Sequence, residues 1–353
     1  MINSPISINI MGALISYIIG VFIVPAVIAF SRKEGLVDVP NERKIHKAPI
    51  SRLGGVAIWS STVFTFIILV LLRCYPNGSL VSGILLGGSL MFLLGLIDDV
   101  YNLNAKFKLL LQILITTVVF FLGVKFNTIF NPLDITGGAI HLPFWLSYII
   151  TLLWIVGISN AVNFIDGVDG LAGSIITVSA ITIAIISLAV TPPNPISALI
   201  ACILVGSVLA FLTFNFNPAK IFMGDSGALF CGFMLAVLSI TGVMNGATLA
   251  IILPFIILAV PIIDITYSSL RRIFKGISPF VADAEHIHHK LLKAGFSQKL
   301  TVAVMTSVAV LAGAIATLLV NYLTIKHYVY YILILLVLML LLSLFDMFTK
   351  NNK

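Results

Sequence analysis

The chain has 353 residues, of which 60% are hydrophobic and 9% are charged. Soluble domains carry about 25% charged residues, so this composition, with a mean hydropathy of +1.16, excludes a soluble globular enzyme. Lys and Arg exceed Asp and Glu by seven, but no basic run is interleaved with aromatic residues, which excludes a nucleic-acid-binding surface. The three cysteines stand apart in apolar sequence without disulfide or metal-site spacing, and we assign them to packing.

Apolar runs long enough to cross a bilayer recur along the whole chain. We predict an all-α polytopic integral membrane protein, one domain over residues 1–353, with eleven transmembrane helices. Ten is the alternative count, because the loops between 160 and 243 carry few charges. We expect no cleavable signal, since the first charge, Arg32, follows the first run. The predicted helices cover residues 8–30, 53–72, 80–97, 108–124, 143–160, 171–190, 197–214, 228–243, 248–270, 301–322 and 328–348.

The basic residues predict the orientation of these helices. Seventeen of the twenty Lys and Arg residues fall on one side, and Arg73, Lys125 and Lys326 fall on the other. Positively charged loops stay in the cytoplasm, so we predict an external amino terminus and an internal carboxyl terminus. An even helix count would spoil this division, which favours eleven. The predicted cytoplasmic loops are residues 31–52, 98–107, 160–170, 215–227 and 271–300, whereas the external loops resemble plain connectors.

Acidic and amide side chains concentrate in three of these cytoplasmic loops. They are Asp98 and Asp99 after the third helix, Asn160, Asn163, Asp166 and Asp169 after the fifth, and Asp225 after the seventh. Each acid alone is equally well explained as a loop residue or a helix cap, but three acid-bearing loops on one side favour a site. Oxygen ligands beside glycines suit Mg²⁺, with Mn²⁺ as a substitute, and the lack of a nearby cysteine disfavours zinc.

The second of these loops also has a regular spacing. Asn163, Asp166 and Asp169 follow one another at intervals of three, which would place them on one face of a continuing helix. Gly167 and Gly170 argue against such a helix, but they would let the backbone approach a ligand closely.

The last long cytoplasmic loop gathers side chains that donate hydrogen bonds to anions. They are Arg271, Arg272, Lys275, His286, His288, His289 and Lys290. We favour phosphate binding, since the arginines and lysines would repel the transition metal that three histidines could otherwise bind. A positive-inside anchor explains the arginine pair but not the histidines.

Two other features lie near the same membrane surface. His46 and Arg52 precede a glycine pair in the first loop, where binding of a lipid phosphate and simple anchoring are equally good explanations. Asp264, about two turns before Arg271, is expected to lie near the cytoplasmic mouth and to pair with a basic group.

A cation site beside a cationic loop, at the boundary of water and lipid, indicates chemistry on a diphosphate. A soluble nucleotide-linked donor would enter from the cytoplasm, and an acceptor with a lipid tail would lie in the membrane. A proton- or cation-coupled transporter is the alternative from another class, but it predicts acids near the bilayer midplane and internal repeats. A scaffold that only recruits partners predicts dispensable acids.

Four spaced motifs resemble those of the polyprenyl-phosphate N-acetylhexosamine-1-phosphate transferases: Gly95-Leu-Ile-Asp-Asp-Val, Asn160-Ala-Val-Asn-Phe-Ile-Asp-Gly-Val-Asp-Gly170, Met223-Gly-Asp-Ser-Gly227 and His286-Ile-His-His289. Ser278-Pro-Phe favours the bacterial branch that transfers GlcNAc-1-phosphate from UDP-GlcNAc to undecaprenyl phosphate, the first membrane step of a surface glycan such as teichoic acid or O-antigen. The relatives that transfer phospho-MurNAc-pentapeptide have three adjacent histidines, which Ile287 interrupts here. Another UDP-N-acetylhexosamine donor is a further alternative.

This resemblance implies a role for each motif residue in a magnesium-dependent enzyme of the bacterial inner membrane, for which we keep a homodimer as an open alternative. Asn163 and Asp225 would bind Mg²⁺, Asp98 and Asp99 would serve the acceptor phosphate or metal-bound water, and Lys108 would contact the donor diphosphate. Asp166 and Asp169 would line the nucleotide-sugar pocket, and His286, His288 and His289 would hold diphosphate or sugar. Arg52 and Arg271 complete the expected substrate-binding residues. We favour direct in-line attack over an aspartyl-phosphate intermediate at Asp98 or Asp99.

Overall fold

The computed structural model describes residues 5–38, 49–72, 79–130, 139–190, 192–243, 252–274 and 286–322. Most of them are helical, because long apolar segments satisfy their backbone hydrogen bonds internally only as helices or closed barrels. The helices are α1 Pro5–Lys33, α2 Gly54–Leu71, α3 Ser79–Tyr101, α4 Ala105–Phe121, α5 Phe144–Ile165, α6 Leu171–Ala189, α7 Pro195–Asn215, α8 Gly224–Leu238, α9 Ile252–Ile257, α10 Ala259–Phe274, α11 Ile287–Lys293 and α12 Gln298–Tyr322. A π-helical turn, Ser239–Val243, extends α8.

Eight helices in the described part of the chain are long and apolar enough to cross a membrane. They are α1, α2, α3, α5, α6, α7, α8 with its π-helical turn, and α12. The chain is therefore a multi-pass membrane protein, as predicted. Helix α4 coincides with the fourth predicted run but has 17 residues, and the predicted helix at 328–348 lies outside the described residues. The count of eleven and the orientation stay predictions.

The ninth predicted run is broken into two helices, α9 and α10, at Leu258. Pro261 cannot donate to the carbonyl of Ile257, and its ring disfavours a straight helix at this point. The hydroxyl of Ser179 in α6 donates to that freed carbonyl at 3.2 Å. A neighbouring helix therefore satisfies the polar group that the break exposes.

The predicted all-α class is confirmed, and the connections add two short antiparallel strand pairs that the sequence did not predict. Strands β1, Val37–Asp38, and β2, Ile50–Ser51, pair in the connection between α1 and α2. Strands β3, Thr128–Phe130, and β4, Ala139–His141, pair in a loop that we predicted to be a plain connector. The amide of Phe222 donates to the Ser51 carbonyl at 2.7 Å, so β2 also holds the segment before α8.

Helix α8 lies at the centre of the bundle: every residue from 226 to 243 is buried, and Gly224 and Asp225 at its start are half-buried. It packs against α2, α3 and α5, as expected of a helix that is apolar on all sides. Glycines make the approach close: a Cβ on Gly55 would lie 2.2 Å from the Gly227 nitrogen, and one on Gly95 would lie 2.4 Å from the Asp225 carbonyl oxygen. This packing places the first turn of α8 among the ends of three other helices.

Of the three cysteines, Cys231 is buried in α8 and Cys202 is partly buried in α7. Both are free thiols in packed surroundings, in agreement with the packing role assigned to them. Cys74 lies outside the described residues.

Candidate active site

Six side chains meet where α3 and α5 end and α4 and α8 begin, and we call them the carboxylate cluster. They are Asp98, Asp99, Lys108, Asn163, Asp166 and Asp225. At its centre, Lys108 Nζ donates to Asp98 Oδ2 at 2.7 Å and forms a second ion pair with Asp225 Oδ2. The three predicted acid-bearing loops therefore meet in one place, with Lys108 between two of them.

The turn between α3 and α4 brings Lys108 back beside Asp98. Asn102 has a φ of 50°, a left-handed conformation that asparagine adopts more readily than most residues. The side chain of Asn104 then caps α4 by accepting from the Lys106 amide at 2.9 Å. Asp98 Oδ1 accepts from the Leu103 amide at 2.7 Å, so the turn also fixes the carboxylate that Lys108 contacts.

Asp99 holds the amino end of α8. Its Oδ1 accepts from the Asp225 amide at 2.8 Å, and its Oδ2 accepts from the Ser226 amide at 3.0 Å. A carboxylate in this position satisfies amides that have no partner within the helix and favourably faces the positive end of the helix dipole. The sequence did not predict this capping contact, which positions Asp225. The predicted role of Asp99 toward acceptor or metal-bound water stays untested.

Asn163 and Asp166 approach the cluster from the end of α5. The Asn163 side chain lies within hydrogen-bonding reach of the Asp225 carboxylate. Helix α5 ends at Ile165, so the continuous helix face considered for residues 163–169 does not form. Burial and the negative charges of Asp225, Asp99 and Asp169 raise the pKa of Asp166 to about 7. The cluster therefore carries more negative charge than Lys108 alone neutralises.

Asp169 contacts the segment that leads into α8. Its Oδ2 accepts from the Asn217 side chain at 3.0 Å and from the Ala219 amide at 3.2 Å. Asn215 Oδ1 accepts from the Gly170 amide at 2.9 Å, and its Nδ2 donates to the Ile221 carbonyl at 2.7 Å. These contacts tie the connection between α5 and α6 to the connection between α7 and α8. Neither asparagine was predicted as a site residue, although both are amides in the short stretch before α8.

The histidine segment, residues 286–289, lies against the 166–170 loop at Gly167. His286 Nδ1 lies 2.8 Å from Asp264 Oδ2, and the Ile287 amide donates to Asp264 Oδ1 at 2.7 Å. The expected pairing of Asp264 with a basic group is thus confirmed, and the partner is His286. The Phe164 ring stacks on the His286 ring, with 5.6 Å between ring centroids.

His288 is the most deeply buried member of this segment. A Cβ on Gly167 would lie 2.6 Å from its Nε2, so the ring faces the loop that begins at Asp166. Among the residues described, neither ring nitrogen has a hydrogen-bond partner. Burial and the neighbouring His289 and His286 lower the pKa of His288 to about 4, so the ring is neutral at physiological pH. A neutral imidazole can still donate one hydrogen bond to a phosphate oxygen.

Comparison with known proteins identifies the family that carries this arrangement. The sequence profile described as Glycosyl transferase family 4 matches residues 81–243, which include the whole carboxylate cluster. A Bacillus subtilis protein named probable undecaprenyl-phosphate N-acetylglucosaminyl 1-phosphate transferase is 36% identical, over 83% of this chain and 79% of its own length. The chain belongs to glycosyl transferase family 4.

Two further relatives agree with this assignment to glycosyl transferase family 4. A decaprenyl-phosphate N-acetylglucosaminephosphotransferase of Mycobacterium leprae is 34% identical, over 81% of this chain and 77% of its own. The undecaprenyl-phosphate alpha-N-acetylglucosaminyl 1-phosphate transferase of Escherichia coli K12 is 30% identical, over 82% of this chain and 77% of its own. Each name combines a polyprenyl phosphate with transfer of an N-acetylglucosamine phosphate. The resemblance stated from the four motifs is confirmed.

The remaining predicted substrate-binding residues of this family 4 transferase have partners of their own. The Arg52 guanidinium forms an ion pair with Asp38, and the Arg52 backbone carbonyl lies close to Gly224. Arg271 lies over the Tyr267 ring, 5.9 Å from its centroid. His46 and Lys275 lie outside the described residues.

The donor atoms of the carboxylate cluster fit a hard divalent cation. Among the described residues, no group of three or more His, Cys, Asp or Glu side chains forms a ready metal site. Mg²⁺, however, is usually held by one or two carboxylates, with water and substrate phosphates completing the octahedron. Asp225 and Asn163 supply a neighbouring carboxylate and amide, and burial together with the charges of Asp225, Asp99 and Asp169 raises the pKa of Asp166 beside them.

Proposed function

We propose that this chain transfers GlcNAc-1-phosphate from UDP-GlcNAc to undecaprenyl phosphate and releases UMP, at the cytoplasmic face of the bacterial inner membrane. The observation that carries this proposal is Lys108 held between Asp98 and Asp225 at the end of an apolar helix bundle. A fixed ammonium group beside oxygen ligands suits a diphosphate donor, and the surrounding bundle suits an acceptor with a lipid tail. The names of the three relatives support the same pair of substrates.

In this mechanism the protein positions two phosphates and neutralises their charge. Asp225 and Asn163 would hold Mg²⁺, which offsets negative charge on the transferring phosphoryl group. Lys108 would contact the donor diphosphate from the same side. An oxygen of the lipid phosphate attacks the phosphorus that bears the sugar, the bond to UMP breaks, and a lipid-linked diphosphate sugar results.

The ionisation of the acceptor bears on whether the transfer takes one step or passes through a covalent intermediate. A lipid phosphate is largely ionised near neutral pH, so the attack requires no general base. Asp99 accepts two backbone hydrogen bonds and Asp98 forms an ion pair with Lys108. Both carboxylates are therefore engaged by the protein, which supports direct attack over an aspartyl-phosphate intermediate.

The test uses purified protein with undecaprenyl phosphate, UDP-GlcNAc and a Mg²⁺ titration, and measures UMP and the lipid product. We expect UMP release that requires both substrates and the metal, with Mn²⁺ as a weaker substitute. Parallel reactions with other UDP-N-acetylhexosamines and with UDP-MurNAc-pentapeptide determine the donor. The absence of UMP with every donor would contradict the proposal and would favour the alternative of a cation-coupled transporter.

We also propose the full topology of eleven helices with an external amino terminus, which places the carboxylate cluster in the cytoplasm. Two exposed positions outside the site, Lys106 and Asn127, lie at opposite ends of α4. In a cysteine-free background, a membrane-impermeant thiol reagent should label Asn127→Cys in intact cells and Lys106→Cys only after permeabilisation. The opposite pattern would overturn the orientation.

A further inference from the structure

A pair of amide side chains, Gln112 buried and Asn160 half-buried, joins α4 to α5 within the apolar part of the bundle. Gln112 is 1% exposed. Asn160 Nδ2 donates to Gln112 Oε1 at 2.8 Å, and Gln112 Nε2 donates back to Asn160 Oδ1 at 3.3 Å. Asn160 Nδ2 also donates to the Val156 carbonyl at 2.8 Å, so its orientation is determined. Burying an amide is costly unless its hydrogen bonds are satisfied, and here the two side chains satisfy each other.

This amide pair lies one helical turn from the two side chains that contact Asp225. Gln112 follows Lys108 by four residues on α4, and Asn160 precedes Asn163 by three residues on α5. Residues three or four apart share a helix face. The amide pair therefore lies one turn along the interface between α4 and α5 from Lys108 and Asn163.

Apolar packing gives the first half of α4 little support. No residue from 105 to 111 is buried, and the first two buried residues along the helix, Gln112 and Thr116, are both polar. The buried apolar residues of α4, Val119 and Phe120, lie in its last turn, away from the site. Leu111 is only partly buried against the core, so Gln112 is the first fully buried side chain of α4 after Lys108.

We propose that the Gln112–Asn160 amide pair positions Lys108, setting the height and rotation of α4 so that the ammonium group lies between Asp98 and Asp225. Neither amide is a catalytic residue in this proposal, because both act through Lys108. The proposal rests on the proposed function only for the kinetic consequence, since the positioning itself is a property of the protein without substrate.

The first test measures the position of Lys108 without any reaction. Lys108 is largely shielded and ion-paired, whereas Lys106 is exposed one half-turn away and serves as an internal reference. In Gln112→Leu, we expect the rate of Lys108 acylation relative to that of Lys106, read by mass spectrometry, to rise severalfold. An unchanged ratio in a folded variant would overturn the proposal, whether or not the protein transfers sugar phosphate.

The matched control is Tyr148→Phe. The hydroxyls of Thr117 and Tyr148 lie 2.8 Å apart and form another hydrogen bond between α4 and α5. Thr117 keeps its bond to the Ile113 carbonyl when the tyrosine hydroxyl is removed. This control loses one bond between the same two helices and should leave the Lys108 to Lys106 ratio unchanged. If the labelling ratio rose equally in Gln112→Leu and Tyr148→Phe, any lost bond between α4 and α5 would expose Lys108. The specific role of the amide pair would then be overturned.

The second test uses transfer activity. A misplacement of about 1 Å can reduce rates by up to about 100-fold, so Gln112→Leu should lower kcat/KM for the donor about tenfold. In a Lys108→Ala background the same change should cost less than about twofold, because its effect passes through Lys108. Equal losses in both backgrounds would indicate a merely structural role and would contradict the proposal. If the unmodified protein released no UMP, the proposed function would be contradicted, and the positioning proposal would still be tested by the labelling ratio.

An exchange of the two amides guards against a variant that fails to fold. The double variant Gln112→Asn with Asn160→Gln keeps the number of side-chain atoms between the helices. We expect it to restore the Lys108 labelling ratio and to bring kcat/KM within about threefold of the unmodified protein. A folded exchange variant that behaves like Gln112→Leu would overturn the assignment.

Discussion

The carboxylate cluster and the histidine segment both adjoin the 166–170 loop, and in each one titratable group has a pKa shifted toward its neutral form. On one side, burial and neighbouring carboxylates raise the pKa of Asp166 to about 7. On the other, burial and neighbouring imidazoles lower the pKa of His288 to about 4. A metal-bound diphosphate would complement both, since the metal would compensate the carboxylates and the phosphate oxygens would accept a hydrogen bond from an imidazole.

The two regions differ in how much of their geometry the protein builds by itself. Lys108 and the first amides of α8 already hold Asp98, Asp99 and Asp225 in place. In the histidine segment, Asp264 holds His286, but both ring nitrogens of His288 lack a partner among the described residues. Changes in the carboxylate cluster should therefore disturb geometry and charge together, whereas a change at His288 should mainly alter the response to pH and ligand.

The largest effect is expected from Asp225→Asn. This change removes a proposed metal ligand and one of the two carboxylates that hold Lys108. Losing one preorganised charge at a transition state typically costs about 100 to 1,000-fold in kcat, and we expect a loss in that range. The measurement is initial UMP release over a Mg²⁺ titration, with expression and thermal stability checked in parallel.

Glu34→Gln is the matched control for Asp225→Asn, because Glu34 is an exposed acid at the end of α1. It should retain nearly full activity at every metal concentration. Near-normal turnover by Asp225→Asn across the titration would show that the carboxylate cluster does not depend on this ligand.

The next largest effect is expected from Lys108→Ala, which removes the positive charge between Asp98 and Asp225. We expect kcat/KM for the donor to fall about 100-fold, largely through a higher KM, because the side chain contacts the donor diphosphate in the proposed mechanism. Lys106→Ala, two residues away and exposed, is the control. An unchanged donor KM with a reduced kcat would assign Lys108 to the chemical step rather than to donor binding.

A smaller effect separates capping from chemistry at Asp99. If its main role is to cap α8, Asp99→Asn should keep at least about a tenth of the activity, since its amide oxygen can still accept from one of the two α8 amides, and Asp99→Ser should keep less because its hydroxyl lies one atom closer to the backbone. Asp99→Ala should lose about 1 kcal/mol of stability in addition. Thermal unfolding and UMP release measured on all three variants test this ranking. Equal and near-complete loss of activity in all three, with unchanged stability, would favour the catalytic role that the motif predicted.

The helical architecture was largely predictable because apolar segments of membrane-spanning length can be recognised directly in the sequence. Ten of the eleven predicted runs coincide with a described helix or, at 248–270, with a broken pair. The break itself had a visible cause in Pro261, which removes one helical hydrogen bond. The two strand pairs were missed because segments of two or three residues have no alternating pattern to detect.

The chemistry-bearing residues were predictable as a set, but their contacts were not. Acids near helix ends stand out in a chain with so few charges, which is why Asp98, Asp166 and Asp225 were found. The capping of α8 by Asp99 and the contacts of Asp169 with Asn217 depend on which helices pack together, and no local pattern encodes this. Gln112 did leave a signal, since it is the one amide in the apolar run 108–124.

The smallest effect concerns the histidine side of the comparison and follows from the lowered pKa of His288. Between about pH 4, its folded value, and 6.5, its ordinary value, the unfolded state binds more protons, so stability falls as the pH falls. From pH 6.5 to 5 this shift corresponds to about 1.5 kcal/mol. We expect the purified protein to lose thermal stability over this interval more steeply than His288→Gln, which cannot titrate at this position. If thermal stability fell with pH equally in the two proteins, protonation of His288 would not destabilise the fold. The lowered pKa of His288, and with it the comparison with Asp166, would then be wrong.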